Sequence, residues 1–243
     1  MTNVVEILEQ VGSTNEYLQN IFSDDIKENF KAVATFNQTN GRGQKGNLWH
    51  SGPEYNICYS IAIIPDIPAQ NQFLISQAIS LAVKSFLDKH IQNVSVKWPN
   101  DIFWKEKKIA GILIENKLTG VIINHSIVGI GININELNFP GMLNQAVSLK
   151  QITGLDYDLV KLTNDLHQTL VKALADLSTE KADDIQRYYL NSLFRRDGIH
   201  GYTDKEGSFE ARIRGIEAKG DLILELEDGS LRNYAFKEVS FNF

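Results

Sequence analysis

The sequence predicts an α+β fold, a mixed β-sheet flanked by helices and followed by a small β-rich module. Three observations carry this reading. Short β-type runs recur as far as Ile134, apolar residues at helical spacing mark segments around Ile75–Phe86 and Leu159–Leu177, and after Arg195-Arg196-Asp197-Gly198 the chain turns to short strands separated by turns. With 243 residues, of which 43% are hydrophobic, the chain suits one large domain plus a small one. The boundary falls between residues 1–195 and 196–243.

The elements follow in order. Val4-Val5-Glu6-Ile7-Leu8 is a short strand, and Ser13-Thr14-Asn15-Glu16 has the S-x-x-E form of a capping box that opens a helix. Ala32 to Phe36 reads as a strand, followed by a polar, glycine-rich stretch from Asn37 to Glu54 and a second strand from Tyr55 to Ile64. Polar loops of that length between buried strands are mostly functional or disordered. Beyond Pro65 and Pro68, Ile75, Ile79, Ala82 and Phe86 recur at helical spacing, widened by Leu74, Ala78 and Leu81. Val94–Trp98, Ile102–Trp104 and Lys108–Ile114 read as strands joined by a tight hairpin at Lys105-Glu106-Lys107. Val121 to Ile134 continues as a strand with an exposed edge, which makes a homodimer a candidate assembly. Leu159, Leu162, Leu166, Leu170, Ala173 and Leu177 mark an amphipathic helix, a second helix runs to about Phe194, and turns at 204–207, 218–221 and 227–230 divide the β-rich end.

Composition excludes several classes. Lys+Arg number 24 against 30 Asp+Glu, a net charge of −6, whereas a stand-alone nucleic-acid or anionic-membrane binder carries a basic excess. The N-terminal residues lack a basic segment followed by an apolar one, and no stretch approaches the roughly 18 apolar residues that span a bilayer. Cys58, the single cysteine, lies in the apolar run Ile57-Cys58-Tyr59-Ser60-Ile61 and reads as a buried, inert thiol in a cytoplasmic protein. His50, His90, His125, His167 and His200 have neither paired spacing nor a cysteine partner, so no protein metal cage is expected.

The loop Gly41-Arg42-Gly43-Gln44-Lys45-Gly46 carries the letters of G-x-G-x-x-G, but it leads into a strand, not into the helix that a dinucleotide fingerprint requires. It fails as a P-loop as well, because Asn47-Leu48 follows Gly46. What remains is a backbone that a ligand can approach closely, with Arg42 and Lys45 as fixed positive charge for a carboxylate or phosphate, or else a mobile basic loop. Lys97-Trp98-Pro99-Asn100-Asp101 leaves Asn100 and Asp101 at a corner, as a turn pair or as site residues. Lys108 begins an apolar strand and so points into a cleft, whereas Lys105 and Lys107 read as solvated turn charge. For Gly129 and Gly131, a strand kink and close ligand approach both stand.

In order along the chain, Ser13-Thr14-Asn15, Gln38, Gly41-Arg42-Gly43, Trp49, Lys97-Trp98-Pro99-Asn100-Asp101, Lys108-Ile109-Ala110-Gly111-Ile112-Leu113 and Gly129-Ile130-Gly131-Ile132-Asn133 closely resemble biotin protein ligase. That family's short form has a catalytic domain of the class II aminoacyl-tRNA synthetase/biotin ligase type, then a small SH3-like β-barrel, without the DNA-binding domain of ligases that double as repressors. The resemblance implies ATP and biotin as substrates, with Mg2+, and a two-step reaction through biotinyl-5′-AMP to one lysine of a biotin carboxyl carrier protein, a subunit of acetyl-CoA carboxylase or a related carboxylase. It implies catalytic roles for Arg42, Lys108 and Asp101. Asp101 would orient magnesium-bound phosphate or receive the proton of the attacking lysine. Biotin would be bound by Ser13, Thr14, Gln38, Gly41, Arg42, Lys108 and Gly111, although Thr14 is also readable as a plain helix start. The nucleotide would be bound by Gly43, Lys45, Trp49, Asn100, Gly129 and Asn133. Gln44 departs from the pattern, since a second arginine usually follows Gly43, and a looser hold on the adenylate is the expected consequence. A lipoate ligase would carry an Arg-Arg-x-Ser-Gly-Gly-Gly run that is absent here, and a non-catalytic sensor would not require both Arg42 and Lys108.

Overall fold

The computed structural model describes residues 4–22, 28–141, 145–175 and 177–243, with the side chain of Lys45 left outside the described residues. Seven strands, β1 (Glu6–Leu8), β2 (Ala32–Thr35), β3 (Ile57–Ile63), β4 (Val94–Lys97), β5 (Asp101–Trp104), β6 (Lys107–Thr119) and β7 (Ile122–Ile132), form one sheet in the order β1-β2-β3-β7-β6-β5-β4. Only the β1–β2 pair is parallel, so the sheet is mixed as the sequence predicts.

Alternation along the strands separates two faces. Ile57, Tyr59, Ile61 and Ile63 of β3 and Val128, Ile130 and Ile132 of β7 enter the main core with α2 (Phe73–Leu87) and α4 (Leu159–Ala175). Each such side chain, fully buried, contributes about 1.5–3 kcal/mol, far more than the tenths by which helix propensities differ. On the opposite face Ala62 and Ile127 meet Leu18 of α1 (Thr14–Ile21) and Phe22 just past its end in a smaller cluster. Ser13 is the N-cap of α1, its Oγ accepting from the Glu16 amide at 3.5 Å.

Two features differ from the sequence reading. A further short helix, α3 (Leu149–Thr153), is closed by a capping box between Ser148 and Gln151 and by Gly154 at φ 76°. The strand read from Val121 to Ile134 is not an edge strand over most of that span: β7 pairs with β6 along its length and with β3 from Ser126 to Ile132, and only residues 123–125 of β7 have no strand or bridge on the β3 side among the described residues. Instead β6 outruns β5, which pairs only as far as Gly111, so among the described residues no strand covers its outer side from Leu113 to Thr119.

After α5 (Ala182–Asn191), the strands β8 (His200–Asp204), β9 (Gly207–Ile216), β10 (Leu222–Leu226), β11 (Leu231–Tyr234) and β12 (Ser240–Phe241) form a second, antiparallel sheet in the order β11-β10-β9-β8-β12. It is docked on the first. The indole Nε1 of Trp98 donates to Gly220 O at 2.8 Å, and Phe241 and Phe243 lie against Phe194. No helix of the described residues is long and apolar enough to cross a membrane.

Candidate active site

The strand register builds a floor of small residues. On the face away from the main core, Ser60, Gly129 and Leu113 line up across β3, β7 and β6, and Cys58, Gly131, Gly111 and Asp101 line up one step along, reaching β5. Two of these glycines are required by what lies on them: a Cβ at Gly129 would stand 2.3 Å from Asn15 Oδ1, and one at Gly131 would stand 2.1 Å from the Trp49 ring. Above the floor is a cavity of about 320 Å³, within the range of small-molecule sites, roofed by the loop that carries Arg42 and Trp49.

The predicted residues converge on it. Ser13, Thr14, Gln38, Arg42, Gly43, Trp49, Asn100, Asp101, Lys108, Gly111 and Gly129 all line the cavity. Pairing of Val11 with Gln38 brings the strand end beside the start of α1, where Gln38 Oε1 accepts from the Thr14 amide at 2.9 Å and from its hydroxyl at 3.2 Å. The Lys108 ammonium folds over Gly111, 2.6 Å from Asp101 Oδ1 and 5.6 Å from the Trp49 ring centre. Asn100 staples the hairpin, its Nδ2 donating to Ile112 O at 2.6 Å.

Two expected residues stand outside the lining, among the described residues. Asn133 is buried outside the cavity lining, where its amide donates to Val147 O at 3.2 Å and supports the strand that bears Lys108. Gly41 is buried under the backbone of Trp49, whose amide donates to Gly41 O at 3.0 Å, and does not line the cavity. The side chain of Lys45 is outside the described residues.

Other residues at the site went unassigned in the sequence. Lys97 lines the cavity, and its ammonium lies 5.2–5.6 Å from the ring centres of Phe103, Phe241 and Phe243. Burial lowers its pKa, opposed by nearby Asp101. Phe236 and Lys237, between β11 and β12, also line the cavity, a reach across the fold that no local pattern announces. Asn15 and Glu115 complete a polar cluster with Arg42, and Asn15 at least was signalled by a polar residue on the inner face of a helix. Burial pushes the Cys58 thiol up to about 11. Asp101 is the sole carboxylate among the described lining residues, and no group of three metal-ligating side chains occurs among the described residues.

Residues 7–133, just over half of the chain, match the biotin/lipoate A/B protein ligase family. The chain belongs to that family. All the lining residues except Phe236 and Lys237 fall within the matched span. Among relatives of this ligase family, the bifunctional ligase/repressor BirA of Bacillus spizizenii is 28% identical over 229 residues, covering 93% of this chain and 70% of its own. The biotin–[acetyl-CoA-carboxylase] ligase of Mycobacterium tuberculosis is 30% identical over 116 residues, 46% of this chain and 44% of that protein. Among solved structures, the biotin protein ligase of Aquifex aeolicus in complex with biotin and ATP superposes with a TM-score of 0.80 at 24% identity, covering 98% of each chain, and so shares the fold.

Proposed function

We propose that this chain is a ligase that activates biotin as biotinyl-5′-AMP and transfers the biotinyl group to one lysine of a biotin carboxyl carrier protein, within a carboxylase. One observation carries the reading: Arg42 and Lys108, from a loop and from a sheet strand, line one cavity together with the hydrogen-bonding group Ser13, Thr14 and Gln38. Burying a ureido ring strips its water partners, and those three side chains would replace them.

In the first step a carboxylate oxygen of biotin bonds to the α-phosphorus of ATP while the bond to the β-phosphate oxygen breaks and pyrophosphate leaves. Two anions must meet, so fixed positive charge placed where the transition state gains charge supplies the catalysis. Arg42 offers a planar fork to two oxygens and Lys108 a point charge. Trp49 would cover the adenine, Gly43, Asn100 and Gly129 would border the nucleotide, and Asp101 holds the Lys108 ammonium until the ligands arrive. The residues fit a magnesium ion that comes with the nucleotide, with Asp101 as its protein ligand, and bound there it would neutralise phosphate charge. In the second step the lysine nitrogen bonds to the acyl carbon, the acyl–phosphate oxygen bond breaks, AMP leaves with the bonding pair, and the amine's proton passes to Asp101, the sole carboxylate of the described lining.

The proposal includes a catalytic unit of residues 1–195 and a small barrel of 196–243. It also includes a homodimer, supported by the uncovered outer side of β6 and by exposed Leu118, Val121 and Ile122 at the tip of the β6–β7 hairpin. The carrier assignment is tested by incubating the protein with ATP, Mg2+, biotin and a purified biotin carboxyl carrier domain. A mass increase by one biotinyl group, lost when the carrier's acceptor lysine is replaced by arginine, is expected; an unmodified carrier in the presence of accumulating biotinyl-AMP would assign the acceptor elsewhere.

A further inference from the structure

Arg42 sits on an irregular loop, and a guanidinium on a flexible stem must be oriented before it can serve a reacting centre. One of its ends is tied. Nη2 donates to both carboxylate oxygens of Glu115, at 2.9 and 3.1 Å, across 73 residues of sequence. Its Nε is buried without a partner, although Arg42 lines the cavity. A buried donor left unsatisfied is costly, and here it is held ready for an anionic oxygen.

Glu115 is oriented in turn. Asn15 Nδ2 donates to its Oε2 at 2.8 Å, Ser60 Oγ donates to Asn15 Oδ1 at 2.6 Å and lies 2.8 Å from Thr14 Oγ1, and the bare backbone of Gly129 makes the room for Asn15. Glu115 itself does not line the cavity, so its charge reaches the reacting groups through Arg42. We infer that Glu115, set by Asn15 and Ser60, is the positioning residue that aims Arg42 at the carboxylate and α-phosphate of the adenylation step. This rests on the biotin ligase reading. The chain of hydrogen bonds also runs from Arg42 through Glu115, Asn15 and Ser60 to Thr14 and Gln38, so the residues assigned to the biotin ring and the cation assigned to its carboxylate share one rigid network.

Glu115→Gln keeps the shape and an oxygen for Asn15 but removes the charge. In biotin-dependent exchange of labelled pyrophosphate into ATP, kcat is expected to fall roughly tenfold or more, the scale on which groups that orient an active-site ligand act, with the biotin KM within about threefold and an unchanged melting temperature. In an Arg42→Ala background the same substitution is expected to change the rate less than about twofold, because its effect passes through Arg42. A parent-like kcat, or an equal further loss without Arg42, would overturn the assignment. Should the parent itself show no biotin-dependent exchange, the ligase reading fails first, and hydrogen exchange in the ligand-free protein still decides the role of Glu115. The Gly43 and Trp49 amides, bonded to Asn47 O and Gly41 O, are expected to exchange faster in Glu115→Gln, and parent-like protection would refute it.

Discussion

Lys108 is held between Asp101 and the Trp49 ring over a glycine, a placement that costs the ammonium little water and keeps it beside the cavity. Replacing it with alanine is expected to lower the rate of pyrophosphate exchange at least about a hundredfold while biotin affinity, measured by calorimetry, changes less than about tenfold. Equal losses in both would mean a binding role only. Cys58, 2% exposed, has its thiol pushed from 9.0 to about 11 by burial. Its contribution to stability is therefore complete below pH 9 and is lost as pH rises through about 11, and in the folded protein it is expected to resist a thiol reagent at pH 8 that labels the urea-unfolded chain fully. Rapid labelling of native protein would contradict that burial. Arg42, Lys108 and Asp101 were legible because each sits in a short motif whose neighbours are unusual for a plain strand or turn. Glu115 was not, since it lies in a run of strand letters and gains its meaning only when β6 passes beneath the loop. The placement of Asn133 was not legible for the same reason: its motif fixes the strand, and the register sets its amide against Val147.

At the scale of elements, the start of α1, the paired strands around Lys105-Glu106-Lys107 and the helices α2, α4 and α5 were all readable from periodicity and capping. α3 was missed although its Ser148-x-x-Gln151 box is visible, because five residues are too few to show a helical period. The edge of the sheet was misplaced because strand order is set by pairings between distant segments. Ser13→Ala removes the N-cap of α1 and is expected to lower stability by about 1 kcal/mol in urea unfolding. An unchanged midpoint would mean that Ser13 serves ligand alone. The loop from Gly41 to Trp49 is closed in the structure by Gly43 N to Asn47 O at 2.7 Å and Trp49 N to Gly41 O at 3.0 Å. At Gln44, where the resemblance to biotin protein ligases leads one to expect an arginine, Gln44→Arg is expected to slow release of biotinyl-5′-AMP in rapid filtration, and unchanged retention would show that this position does not govern closure.

Across the whole molecule, the second sheet is part of the site as well as an appendage to it. It supplies Phe236 and Lys237 to the cavity and, through Phe241 and Phe243, the rings over which the Lys97 ammonium lies. The β-rich character of this segment was legible from its spaced turns, but its docking was not, because Trp98 meets Gly220 across 122 residues. Phe241→Ala is expected to cost about 3 kcal/mol and to lower a single cooperative transition; separate melting of the two sheets would show that the dock is weak. The central claim, that one cavity brings a carboxylate and a nucleotide phosphate together, is tested most directly by exchange of labelled pyrophosphate into ATP with Mg2+ present and no acceptor protein. Exchange that requires biotin and is not supported by lipoate is the expected result, whereas folded protein that binds biotin without any exchange would contradict adenylation and leave a sensor.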